Sequence, residues 1–430
     1  MKIQLPPPFR LESRYRSVYW IIGIMFLILL LSVFEKRSRL STNPLSRINS
    51  VERLVEKGTW AHLAPGDTTP FPQSIDIIKV DGRVYSSKPP TYPLVMAGES
   101  LAMKAVTGME FYPHRVDYLR MLLLVNQVFP YLIMLWVAFL FLRDFTENVW
   151  TINFMLLALS IGLLPFGYAP SINNHTVSAV LFFIAFYLVY RITRKGDTRW
   201  WLAIAIGLMC GYAVSIELPG GVFAAWYFFL LLRHDWKLAG IALVCMILPM
   251  LPAFYVYHEI SGHYKPFYLQ GELYRFEGSY WKNPGGMDAL KETKIAYIFH
   301  TLFGRKGLFL TTPLFLLSLI GLGNIIKGGD QKMRLEWLGI AGGILAIFYF
   351  VWTRTTNYGG ECIGMRWFIP FMPLLMLMAW PVVNRLEKTF WGRVLAGFLL
   401  LLSIPWNLEA LWIEAFIRGG LQIAWENLFF

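Results

Sequence analysis

The sequence predicts an all-α integral membrane protein, and three observations carry that expectation. The residues are mostly apolar, they gather in long uncharged runs, and basic and polar connections alternate between the runs. Of 430 residues, 56% are apolar and only 15% charged, with a mean hydropathy of +0.49. A soluble domain carries about a quarter charged residues. The apolar runs reach about 17 to 25 residues, enough to cross about 30 Å of hydrocarbon as a helix. Aromatics make up 17% of the chain, and many lie at the ends of these runs, where Trp and Tyr favour the headgroup level.

The first run, Ser17 to Phe34, follows Lys2, Arg10, Arg14 and Arg16. No small-residue cleavage site comes after it, and it continues into Glu35-Lys36-Arg37, so it reads as a retained span rather than a signal peptide. Further runs lie near 118–142, 150–168, 176–190, 200–216, 220–232, 238–257, 307–326, 335–352, 366–383 and 391–412. Together they predict about eleven transmembrane helices. One set of connections is short and basic: Arg143; Arg191, Arg194, Lys195 and Arg199; Arg233 and Lys237; Lys327, Lys332 and Arg334; Arg385, Lys388 and Arg393. All fall on the side of the N-terminus, and the positive-inside rule makes that side cytoplasmic. Lys36, Arg37 and Arg39 argue weakly the other way.

The other connections then face outward: about 35–117, 169–175, 217–220, 258–306, 353–365 and a tail from about 413. They hold most of the polar chemistry, including His62, Asp67, Asp76, Asp81 and Lys88. The loops 35–117 and 258–306 are too long to be mere connectors. Within the first, Arg47 to Trp60 has helical apolar spacing ending at Gly58, and Tyr92 to Val106 is moderately apolar. Both are expected as amphipathic helices in the membrane interface. Between them, IDIIKVDGRVYSS reads as two short extended pieces around a turn at Asp81-Gly82. With no internal repeat or low-complexity stretch, residues 1–430 are expected to form a single membrane domain.

The formal charge of +12 does not indicate nucleic acid. The cations lie in short clusters between apolar runs, where anionic headgroups are the natural partner. Cys210, Cys245 and Cys362 are scattered and suggest neither a disulfide framework nor a metal site. No phosphate-binding glycine loop, dinucleotide fingerprint or HExxH is present. An enzyme of this composition would therefore draw a lipid-linked donor from the bilayer.

Candidate chemistry lies in the outer segments. Asp76 and Asp81 can act as bases for a hydroxyl acceptor, and Asp76 can alternatively hold a divalent cation. Lys88, stiffened by the two prolines after it, can hold a lipid phosphate as a point charge. Ordinary loop charges are the plain alternative. Asn173, Asn174 and His175 open the fourth span; the asparagines can simply cap it, whereas an ionisable His175 at a span end points to a cavity. Glu217 precedes a Leu-Pro break and either terminates a helix or stands at a cavity rim. In NYGGECIGMRW, just after Arg354, Glu361 and Arg366 surround glycines that let backbone approach a ligand, and arginine binds phosphate bidentately. His300, Arg305 and Lys306 place cations at an outer membrane edge, suited to an anionic headgroup.

At these residues the sequence resembles a family. SVERLVEKGTW followed by SIDIIKVDGRVYSSKPP is similar to the first outer loop of polytopic GT-C glycosyltransferases, the protein O-mannosyltransferase and aminoarabinose-transferase group. NNHTVSAV, IELPGG, FHTLFGRKGLFLTTPLF and NYGGECIGMRWFIPFMPL resemble later segments of uncharacterised bacterial members, in the same order. The resemblance implies a GT-C-like fold and a polyprenyl-phosphate-linked sugar as donor. It also implies transfer on the extracytoplasmic face of the inner (plasma) membrane and an outer-loop aspartate as base or metal ligand. Better-known members carry an acidic residue just before the arginine of the loop helix. Here that stretch is Asn43-Pro44-Leu45-Ser46-Arg47, so Asp76 is expected to take the role. A transporter or flippase would show related halves and midplane polar groups, and an O-antigen ligase or polymerase would concentrate His and Arg in one large late loop. A non-catalytic scaffold would not need paired acids and lysines on one face.

Overall fold

A computed structural model describes residues 12–35, 40–65, 74–328 and 333–429. Lys2, Arg10, Lys36, Arg37, Arg39, Asp67 and Lys332, which entered the reading above, lie outside them. The expected first span is α1 (Arg16–Glu35). The first outer loop carries α2 (Thr42–Lys57), β1 (Ile77–Val80), β2 (Arg83–Ser86) and α3 (Thr91–Thr107). Next, α4 (Arg115–Leu123) runs through a π turn into α5 (Phe129–Leu142), followed by α6 (Val149–Leu159), α7 (Leu164–Tyr168), α8 (Asn174–Lys195) and α9 (Trp200–Ile216). Helices α10 (Gly221–His234), α11 (Trp236–Ile247) and α12 (Leu251–Ser261) lead into the second long loop. The remainder is α13 (Lys294–Leu302), α14 (Leu308–Thr311), α15 (Phe315–Ile326), α16 (Arg334–Arg354), α17 (Met372–Leu377), α18 (Trp380–Leu386), α19 (Phe390–Glu409) and α20 (Gly420–Phe429).

Helix lies within every expected run, but the eleven expected spans are not all long, continuous helices. Six helices among the described residues are long and apolar enough to cross a membrane: Ser13–Glu35, Arg115–Leu142, Asn174–Lys195, Trp236–Ser261, Arg334–Arg354 and Phe390–Glu414. A seventh arises if Arg366–Leu377 and Trp380–Leu386, bent by 49°, count as one broken span. Val149–Leu159, Trp200–Ile216 and Phe315–Ile326 are shorter apolar helices. The segments expected at 150–168, 307–326 and 366–383 are thus broken, at the turns before Pro165 and Pro381 and at Pro313. Proline lacks the amide and crowds the preceding turn, which accounts for breaks at these points. Large apolar side chains such as Leu27, Leu31, Val244, Leu345 and Leu401 stand exposed on the outer faces, as hydrocarbon contact requires.

Close helix approach also has a sequence cause. On α9, Gly207 and Gly211 lie four apart and face α11: a Cβ on Gly211 would stand 2.0 Å from the Met246 carbonyl oxygen, and one on Gly207 2.3 Å from that of Ala242. Only glycine allows backbones so near, the packing that small residues at this spacing give in membranes.

Helix α2 corrects one expectation. Its polar face is not open: Asn43, Ser46, Arg47, Asn49, Ser50, Glu52 and Arg53 are buried along with Ile48 and Val51. Its apolar side packs among α3 and β2, and its polar side is covered by partners, so both faces are internal. Gly58 ends it in the left-handed region (φ 62°), as expected at a helix C-terminus.

Candidate active site

The β1–β2 hairpin creates the first charged pair. Asp81 (φ 47°) and Gly82 (φ 77°) supply the two positive-φ residues of a tight hairpin turn, and Ile77 pairs with Ser86. That register sets Asp76 opposite Ser87, whose amide donates to the Asp76 carbonyl at 3.1 Å. It also brings Lys88 Nζ to 2.8 Å from Asp76 Oδ1. Ser46 of α2 fixes the base of the hairpin, donating to the Asp76 carbonyl at 2.6 Å with its hydroxyl 2.7 Å from that of Ser86. Burial alone would raise the Asp76 carboxyl, but Lys88, with Arg366 and Arg47, outweighs it and holds the group below the usual carboxylate range. Burial pushes the Lys88 ammonium down to about 8 despite Asp76.

Arg47, buried on α2, donates to the Asn43 carbonyl at 3.1 Å and to the side-chain oxygens of Asn43 and Asn174. Burial lowers its guanidinium to about 10. Asn173 accepts from Thr176 N at 2.7 Å and caps α8, as the plain reading held. Asn174 instead links segments: its amide donates to the Ile216 carbonyl at 2.8 Å and to Glu217 Oε2. His175 Nδ1 stands 2.6 Å from the same Glu217 oxygen. Glu217, released from α9 at its last turn, thereby holds Asn174 and lies against His175.

Arg366 enters from the glycine-rich loop. Gly359 has φ 78°, and a Cβ there would press on Arg366 Cγ at 3.1 Å, so the loop closes around the arginine only as glycine. Lys306, fully buried, donates to the Cys362 and Gly360 carbonyls and ties this loop down; Tyr168 adds a bond to the Ile363 carbonyl at 2.8 Å. The Arg366 guanidinium lies 5.4 Å from the Phe416 ring centre. Its buried Nε has no hydrogen-bond partner among the described residues. Arg366 acts electrostatically on Asp76, Lys88, Arg47 and His175 alike, so charges far apart in sequence converge at one end of the bundle. A cavity of about 470 Å³ is lined by Val33, Pro44, Leu123, Ile172, Trp412 and Ile413, with Glu35, Arg120 and Glu414 also in its walls.

The second long loop contributes a carboxylate that the sequence reading passed over. Trp281 Nε1 donates to the Ile75 carbonyl at 2.9 Å, docking this loop beside Asp76. The Tyr280 hydroxyl lies 2.9 Å from both the Gly285 carbonyl and Asp288 Oδ2. Asp288 interacts electrostatically with Arg366, Asp76 and Lys88. In sequence it is one acid among several in a polar loop, and only the glycine pair before it hinted at a turned backbone.

Most of the other expected site residues have partners of their own. Asp81 is exposed at the hairpin tip, where four strand residues separate it from Asp76, and its work is the turn. Arg305 donates to Glu292 at 3.1 Å, Glu292 also accepts from Tyr358, and His300 Nδ1 faces the Arg305 amide at 3.4 Å. These three support the loop rather than offer an outward cation pair. Glu361 is exposed and pairs with Arg418 at 2.7 Å. His62, pushed down to about 3 by burial, is uncharged and shares a hydrogen bond with Ser50 at 2.9 Å. Among the described residues no three His, Cys, Asp or Glu side chains are grouped to hold a metal ion. At Asp76, Lys88 takes the position that a cation would need, so the donor set does not fit one.

The fold is that of a multi-pass helical membrane protein, with at least six helices among the described residues long and apolar enough to cross a bilayer. The chain is similar to the crystal structure of ArnT from Cupriavidus metallidurans in the apo state, with a TM-score of 0.55 and 15% identity over 90% of this chain and 63% of that one. It is likewise similar to ArnT bound to undecaprenyl phosphate (TM-score 0.53, 16% identity, 89% of this chain and 62% of that one). A third similar structure is the archaeal oligosaccharyltransferase AglB from Archaeoglobus fulgidus, in complex with an inhibitory peptide and a dolichol-phosphate (TM-score 0.53, 13% identity, 94% and 56%). The chain thus spans less than two thirds of the length of these proteins. No family model and no curated protein matches it.

Proposed function

We propose that this protein transfers a sugar from a polyprenyl-phosphate-linked donor to an acceptor hydroxyl on the extracytoplasmic face of the inner membrane. The observation that carries this reading is the convergence of Arg47, Lys88 and Arg366 from three separate segments, with Arg366 Nε left unmatched. A buried donor without a partner is costly, and a lipid phosphate would supply the missing acceptor. Two of the similar structures hold such lipids, undecaprenyl phosphate and dolichol-phosphate. Lys88 and Arg366 then stabilise the charge that grows on the leaving phosphate in a water-poor site. His175, with Nδ1 2.6 Å from Glu217 Oε2, is a further candidate donor to the same phosphate. The cavity whose walls include Val33, Leu123, Ile172 and Trp412 would give the first isoprene units room.

The test supplies a panel of radiolabelled undecaprenyl-phosphate sugars to membranes containing the protein. Label should move to an acceptor and free undecaprenyl phosphate should appear. Lys88→Ala and Arg366→Ala should each abolish this. Movement of intact donor between leaflets, with no cleavage of the sugar–phosphate bond, would replace the reading with a flippase.

A further inference from the structure

We propose that Asp288 is the base that receives the acceptor proton, leaving Asp76 as the fixed counter-ion of Lys88. This rests on the transferase reading above. Asp76 is committed: one carboxylate oxygen faces Lys88 Nζ at 2.8 Å, its carbonyl accepts from Ser46 of α2 at 2.6 Å, and its amide donates to Ser74 Oγ at 3.0 Å. A carboxylate held this way is fully ionised but weakly basic, and accepting a proton would sever the pair that fixes Lys88.

Asp288 has the complementary environment. It arrives from the opposite outer loop, docked by the Trp281 bond to the Ile75 carbonyl. The Tyr280 hydroxyl orients Oδ2 at 2.9 Å. Oδ1 accepts no hydrogen bond among the described residues and faces the glycine-rich loop, where a Cβ on Gly360 would stand 3.8 Å from it. The groups facing Asp288 are Tyr280 on its own segment, Asp76 and Lys88 from the first loop, and Arg366 from the late loop. Burial raises its carboxyl above the ordinary range, although Tyr280 and Arg366 pull the other way. Two carboxylates pushed apart in this manner divide acid–base roles, and the more basic one is the better proton acceptor near neutral pH.

The step balances. The acceptor O–H proton passes to Asp288 Oδ1 while the oxygen electron pair forms the bond to the sugar C1. The bond from C1 to the phosphate oxygen breaks, and its electron pair leaves on polyprenyl phosphate between Lys88 and Arg366. Asp288 later returns the proton to water.

Two measurements on the full chain in lipid nanodiscs separate the roles: binding of undecaprenyl phosphate, and transfer from the radiolabelled donor panel. Asp288→Asn keeps the Tyr280 contact, so it should bind the lipid as the wild type does while transfer falls about 10²- to 10⁴-fold. Asp288→Glu should recover part of that loss. The wild-type rate should rise with pH through a value above the usual carboxylate range, and the asparagine variant should lack that rise. Near-normal transfer by Asp288→Asn overturns the assignment and leaves the transferase reading intact. An equal loss of lipid binding and transfer also overturns it, since Asp288 would then serve the donor. A wild type that neither binds the lipid nor transfers from any donor overturns both.

Discussion

A lysine that titrates near 8 instead of above 10 is a cation only while its surroundings keep it one, and Lys88 is in that position. Its protonated form attracts phosphate and its neutral form does not. Affinity of the free protein for undecaprenyl phosphate should therefore be full below about pH 8 and decline as pH rises through that value. Titration calorimetry between pH 6 and 9.5 reads the limb directly; Lys88→Arg should flatten it, because arginine stays charged throughout. An affinity independent of pH in the wild type would remove Lys88 from the phosphate site. Asp76→Asn takes away the carboxylate that raises Lys88, so the same limb should move to lower pH. Calorimetry on that variant at pH 7 should show weakened binding, whereas Asp81→Asn at the exposed turn should bind normally. The sequence offered Asp76 and Asp81 as near equals, five residues apart in one loop. It could not rank them, because burial against α2 and the Lys88 contact separate them and neither is a local property.

At the scale of elements, the glycines of α9 make a firm prediction. A side chain at Gly211 must part α9 from α11, since the Met246 carbonyl occupies its place. Overpacking of this kind typically costs about 1–3 kcal/mol. Gly211→Leu should therefore lower the thermal unfolding midpoint in detergent. Gly240→Leu on the same helix pair, with open space around its Cβ, should leave the midpoint in place. Equal midpoints for both variants would mean that the helices do not approach as described. The hairpin was legible in advance because Asp-Gly between alternating apolar residues specifies both turn and register. Helix α2 was legible as a helix but not in its placement. Its amphipathic spacing is the same whether the polar face meets water or the buried partners Asn174 and Ser86, and only the packed neighbours distinguish the two.

For the molecule as a whole, the site requires α2, the hairpin, the start of α8, the end of α9, the second long loop and the glycine-rich loop to lie on one side of the bilayer. Reporter fusions after Arg199 and after Tyr268 should give opposite signals, with the Tyr268 fusion on the site side; matching signals would contradict the alternation of loops. What the sequence by itself determined is the class of molecule and the positions of its helices. Hydrophobic burial and the positive-inside bias act locally, run by run, so they are written in composition and spacing. Tertiary structure alone decided which spans are broken, that α2 is internal, and that Arg305 and Glu361 are satisfied elsewhere. It alone joined Arg47, Asp76, Lys88, His175, Glu217, Asp288 and Arg366 into one cluster. These groups come from segments far apart in the sequence, and their contacts exist only once the chain has packed.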